Sequence, residues 1–143
     1  MSGFITLKGE DYLLNLLAVQ RTVMPAFYVA LITNRPPTKF NSGSDLEEVL
    51  AGEYARQEYP NEVFTWEVVD GEMRNVVEVT FPVALQDWEP ISHWAITTSP
   101  QGGDVLWAGS FISPIEVPEG GRLTLPAGAI VIRTANNSLR VNL

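Results

Sequence analysis

His93 is the first residue to test for chemistry, because it is the only histidine in the 143-residue chain. A general base or a metal ligand needs partners of defined geometry, and no second histidine exists to complete a ligand set. Alternation along ISHWAITT puts His93 with Ile91 and Ala95, opposite Trp94 and Ile96. That pattern reads as a neutral histidine donating to a backbone carbonyl near a sheet edge. The carboxylates Asp45, Glu47 and Glu48 could attract a hard cation, but they lack the alternating spacing and central glycine of a calcium loop. A solvated loop or helical turn is the better reading, and Glu116 and Glu119 around Pro118 read the same way. Glycoside hydrolysis needs two carboxylates at a set separation, and no pair is singled out.

Other motifs add little. PQGG and PEGG are glycine turns without the Lys and Ser/Thr of a phosphate loop, and no serine lies in a G-x-S-x-G elbow. Asn136-Asn137-Ser138 fits a glycosylation acceptor, a pattern too common to carry weight. With 0 cysteines there is no disulfide, thiolate nucleophile or cysteine metal site. The expectation is no catalytic residue, no cofactor and no metal: the chain is not an enzyme. Of the 4 tryptophans, Trp66, Trp94 and Trp107 fall in apolar strand runs and belong to a core. Trp88, beside Asp87, is either exposed or covers the end of the fold, which makes it a candidate interface residue.

The elements that would position these residues are mostly strands. With 11 Gly and 10 Pro, turns must be frequent. GEDYLLNLLAVQR is the one helix signal: Glu10 and Asp11 suit its start, Arg21 its end, and Pro25 stops it. Leu13, Leu14, Leu16 and Leu17 give it more apolar surface than one covered face requires, so they are interface candidates too. AFYVALIT is apolar on both faces and reads as a central strand. NRPPTKFNSGSD reads as a long exposed loop, and DLEEVLAGEY as a short helical turn ending at Gly52. Asp70-Gly71 joins VFTWEVVD to MRNVVEVTF in a hairpin, with Phe64, Trp66 and Val68 sharing a face. ISHWAITT and DVLWAGSF make a second pair, two short strands lie in EVPEGGRLTLPAGAIVIRT, and LRVNL adds a last one. The result is a mainly β chain: a single antiparallel β-sandwich, jelly-roll-like, of roughly eight strands with one N-terminal helix. Residues 1–25 form a helical segment of the same domain as the sandwich, 26–143. Val77, Val79, Phe81, Trp94, Ile96 and Trp107 are the expected core.

Charge and composition narrow the partners. Hydrophobic residues make up 45% and charged residues 18%, which is globular composition. A net charge of −8 disfavours nucleic acid and anionic membranes, whose affinity rests on clustered Lys and Arg. MSGFITLKGEDYLL lacks a basic segment followed by an apolar run, so no signal peptide is expected, and no stretch suits a membrane span.

The order of segments resembles a family of small tailed-bacteriophage virion structural proteins, labelled tail-fibre, minor tail or head-decoration (cement) proteins. The matching pieces are DYLLNLL, FYVALIT with its Pro-rich loop, GEYARQEY, VEVTFPVALQDWEPISHWAI, GGDVLWAGSF and PIEVPEGGRLTLPAGAIVI with a short terminal strand. They span about Asp11 to Leu143. The chain departs from the pattern after Trp88, where Glu89-Pro90 stands in place of an expected glycine. The resemblance implies a particle-building sandwich with no catalytic residues to carry over. The leading expectation is an exterior capsid decoration subunit, made in the host cytoplasm, that contacts major capsid proteins and copies of itself. A tail-associated fibre or adhesin, touching a receptor through loops 34–45 and 99–104, is the alternative. A carbohydrate-binding sandwich using Trp88 is the third.

Overall fold

The computed structural model describes residues 3–9, 26–59, 66–69 and 72–133. β2 (Phe27–Ile32) is central, and its two apolar faces are both covered. Phe27, Val29 and Leu31 enter one buried cluster, and Ala30 and Ile32 enter a second on the opposite face. β7 (Ile91–Thr97) runs antiparallel along one side of β2, pairing Tyr28 with Thr97 through to Ile32 with His93. β3 (Gln57–Tyr59) takes the other side. β8 (Val105–Ile115) returns beside β7, and β1 (Gly3–Ile5) pairs with β8, so the sheet order is β1-β8-β7-β2-β3.

Two smaller sheets make the opposing layer. β4 (Trp66–Val69), β5 (Glu72–Asn75) and β10 (Val131–Arg133) form one, in the order β10-β5-β4. β6 (Val79–Thr80) and β9 (Thr124–Leu125) form the other. Val79, Leu125 and Ile132 of these sheets share one buried cluster with Leu31, Trp94, Ile96 and Trp107 of the large sheet, so the core lies between the layers. The fold is mainly β, antiparallel and sandwich-like, without a closed barrel. Val79, Phe81, Trp94, Ile96 and Trp107 are buried as expected, and Val77 is half-buried against them.

Four local features differ from the expectations. The N-terminal segment begins as a strand, β1, and helical residues start at 7–9. Thr6 marks the change: its buried hydroxyl accepts the Gly9 N–H at 3.0 Å, an N-cap, while it bonds the Val105 and Leu106 carbonyls of β8. The helix expected over 10–21, with Leu13, Leu14, Leu16 and Leu17, falls outside the described residues, as do Phe64, Asp70-Gly71 and the strand expected in LRVNL. Opposite Val69, β5 begins at Glu72, which leaves the two residues that a hairpin turn requires.

DLEEVLAGEY is not helical. A 3-10 turn precedes it at Gly43–Asp45, and the segment then runs beside the end of β2, with Glu48 bridging Ile32 and Thr33 N–H bonding the Glu47 carbonyl at 2.8 Å. The strand through VVEVTF is broken after Asn75. The buried Asn75 amide donates to the Val77 carbonyl at 2.8 Å, and the Tyr59 hydroxyl takes the N–H groups of Val76 and Val77 at 3.2 Å, which turns the chain out of the ladder. Finally, a register shift between Ile91 and His93 in β7 breaks strict alternation, so Ile91 packs in the same cluster as Trp94.

Candidate functional site

Two loops that the sequence separates widely, 34–45 and 99–104, are brought together. The Gly43 N–H donates to the Gly103 carbonyl at 2.8 Å, and Ser42 and Asp104 bridge. Only glycine fits: a Cβ on Gly43 would stand 1.8 Å from the Gly102 carbonyl oxygen. Gly43→Ala must therefore push the loops apart. It is expected to cost about 1–3 kcal/mol, as overpacking does, and faster exchange of the residue-43 amide, the donor of the bond between the loops, should report the opening.

Arg56, the residue before β3, is buried beneath this contact. Its Nε and Nη2 grip the two Glu48 carboxylate oxygens at 3.0 and 2.8 Å. Nη2 also reaches the Gly43 carbonyl at 3.0 Å, while Nη1 reaches Thr97 Oγ1, Ser99 O and Gly102 O at 3.1, 2.8 and 2.9 Å. Tyr54 completes the network, donating to Glu48 at 2.7 Å and accepting the Leu31 N–H at 3.0 Å. Burial, with the Glu48 carboxylate beside it, pushes the Tyr54 phenol far above its ordinary range. A cleft of about 310 Å³ opens over the network, lined by Gly43, Leu46, Glu48, Arg56 and Gln101 among others. The guanidinium fork is saturated by protein acceptors, so it braces loops and has no donor left for a substrate.

The acidic run is used piecemeal. Asp45 accepts the Ser42 N–H at 2.8 Å and the Ser42 hydroxyl at 3.1 Å, which hold its carboxyl below the usual range. Glu47 meets Arg35 at 3.3 Å on the surface, and Glu48 faces inward to Arg56. The three carboxylates do not converge on one point.

The elbow 81–90 is the second feature. Its backbone is laced to residues 117–123: Phe81 N–H to Leu123 O at 2.9 Å, Ala84 N–H to Gly121 O at 2.8 Å, and Trp88 N–H to Val117 O at 3.0 Å. Trp88 is 4% exposed, which corrects the exposed alternative. Its indole packs edge-on to Tyr54, whose ring stacks on Phe81. The indole N–H and the Leu85 N–H both donate to Glu53 at 2.7 Å. Glu89, at the position of the expected glycine, accepts the Leu50 N–H at 3.1 Å, so the corner is held by a carboxylate instead of a flexible backbone. Beside the elbow lies a cleft of about 290 Å³ lined by Asp87, Trp88, Pro90, Glu116, Val117 and Pro118.

The two donors hold the Glu53 carboxyl below its ordinary value of 4.5, the Trp88 N–H contributing most. A depressed folded value means the unfolded chain takes up the proton first. The stability that Glu53 contributes is thus fully present above pH 4.5 and lost as pH falls through the lower folded value. Glu53→Gln should flatten the acid side of the stability profile, measured as the urea midpoint at about pH 7 and about pH 3.

His93 lies inside the sheet, between β8 and β2, and its Nδ1 meets the Ser92 hydroxyl at 2.8 Å. The edge position expected for it is not found, nor, among the described residues, is the carbonyl partner. Burial lowers its pKa and favours the neutral ring. The sequence reading passed over Arg56, although GEYARQEY contains it; its burial depends on Gly43, Ser99 and Gly102, which no local pattern links to it. Among the described residues no group of three His, Cys, Asp or Glu could hold a metal, and no helix is long and apolar enough to cross a membrane.

A family model described as Podophage GP4 fiber I protein gp80 matches residues 5–133. No curated protein matches the chain.

Proposed function

The chain belongs to the Podophage GP4 fiber I protein gp80 family, and from that premise we propose that this phage virion protein is a tail-associated fibre subunit working by contact, without catalysis. The observation that carries the reading is the family match across residues 5–133, whose description names a fibre component. The architecture is consistent with it. Arg56 ties three backbone carbonyls, on two loops, to Glu48, so the loops it braces can meet a partner without first being ordered. The same saturation of Arg56, Glu48 and Tyr54 supports a non-enzymatic role. A buried Trp88 offers no open face for a sugar to stack on, which weakens the carbohydrate-binding reading.

Exterior capsid decoration, first in the sequence reading, remains the competing placement. Copy number and position separate the two. Gold-labelled antibody on purified virions should decorate the tail region, with few copies per particle on a stained gel. Label spread over the head, with hundreds of copies, would reverse the choice.

A further inference from the structure

We propose that copies of this chain join head to tail, the Phe40 turn of one copy entering the elbow cleft of the next. The turn is closed by its own bonds: Thr38 N–H to Asn41 Oδ1 at 2.8 Å, Asn41 N–H to the Thr38 carbonyl at 3.3 Å, and Phe40 N–H to Thr38 Oγ1 at 3.3 Å. Pro36 and Pro37 stiffen the approach. Phe40 is nevertheless 81% exposed. An aromatic held out on a locked turn loses little entropy on binding and is the residue type that anchors interfaces. Lys39 beside it is exposed and, among the described residues, makes no ion pair.

The elbow cleft supplies the complement. Its exposed apolar residues are Pro90 and Pro118, and the largely buried Trp88 and Val117 also line it, together with Asp87 and Glu116. Asp87 is fixed in place by the Glu119 N–H at 2.8 Å. The ring of Phe40 matches the apolar residues, and the Lys39 ammonium matches the carboxylates. Charge is segregated in the same sense: residues 34–43 contain Arg35 and Lys39 and no acid, whereas 85–90 and 116–119 contain Asp87, Glu89, Glu116 and Glu119 and no base. In a chain of net charge −8, that segregation gives copies an attractive orientation against their overall repulsion. The exposure of Phe40 means that it does not fill its own cleft. Two different patches meeting make a heterologous contact, which propagates into a filament or closes into a ring. The inference deepens the fibre reading by naming a second copy as partner.

Sedimentation of the full chain over a concentration series tests it. Wild type should form a ladder of oligomers that weakens with salt. Phe40→Ser and Glu116→Lys should each weaken association at least tenfold, with unchanged near-ultraviolet circular dichroism. Mixed together, the two variants should give dimers only, because one retains a working cleft and the other a working turn. Lys39→Glu combined with Glu116→Lys in one chain should recover part of the ladder. Wild type that stays monomeric to about 1 mM, or variants that associate as wild type does, would overturn the proposal. So would assembly that stops at a symmetric dimer. The virion-labelling result stands apart from this one, so either reading can fail alone.

Discussion

Glu48→Ala is expected to lower the free energy of unfolding by about 3–5 kcal/mol, the usual cost of stripping the counter-charge from a buried ion. The Arg56 side chain is 3% exposed, and Glu48 is its only carboxylate partner among the described residues. Without that carboxylate, the guanidinium keeps its carbonyl acceptors but carries an uncompensated charge in a low-dielectric site. Arg56→Lys should not recover the loss, since one ammonium cannot span Glu48, Gly43, Ser99 and Gly102 as the fork does. Urea unfolding at neutral pH is the measurement. A cost within about 1 kcal/mol of wild type would mean that the pair is solvated like a surface salt bridge and that the loops are held by Gly43 alone.

Trp94→Ala is expected to cost a similar 3–5 kcal/mol for a different reason. Trp94 is 0% exposed and lies between the layers. Burying roughly 200 Å² of indole at about 25 cal/mol per Å² accounts for about 5 kcal/mol on transfer alone, which is the whole stability of a marginal domain. Trp94→Phe should cost far less than alanine, because its Nε1 has no hydrogen-bond partner among the described residues and the smaller ring removes a buried donor along with some volume. Equal losses for Phe and Ala would locate the contribution in an unseen bond to Nε1, contrary to the packing argument.

The parts of the fold that could be read in advance are those set by local periodicity. AFYVALIT declares two apolar faces, and a strand with two apolar faces has to be central; β2 is. The β4–β5 register and the β7–β8 pair follow from turn residues in the same way. What escaped depends on groups distant in sequence. The Asn75 amide bonds Pro126, the Tyr59 hydroxyl takes the N–H of Val77, and between them they break a run that alternates perfectly as a sequence. The shift beside His93 is likewise a matter of how β8 is laid against β7. At the site, Trp88 was identified as the tryptophan at the elbow, but its burial follows from Glu53 and Tyr54, 34 to 35 residues upstream.

The pairing of β1 with β8 sets a timetable for folding on the ribosome. Thr6 bonds to a carbonyl 99 residues later in the chain, so the edge strand has no ladder to join until nearly the whole large sheet has been synthesised. At roughly 5–20 residues per second, that interval is about 5–20 s. Within it, from the completion of β2 at Ile32 until β7 is made at Ile91–Thr97, β2 lacks that neighbour, and Phe27, Val29 and Leu31 remain open to any neighbouring nascent chain. Slow translation lengthens this exposure without changing the finished molecule. Recovery of soluble protein is therefore expected to follow the aggregation of half-made chains, set by slow, non-local strand closure, more than the stability of the completed sandwich.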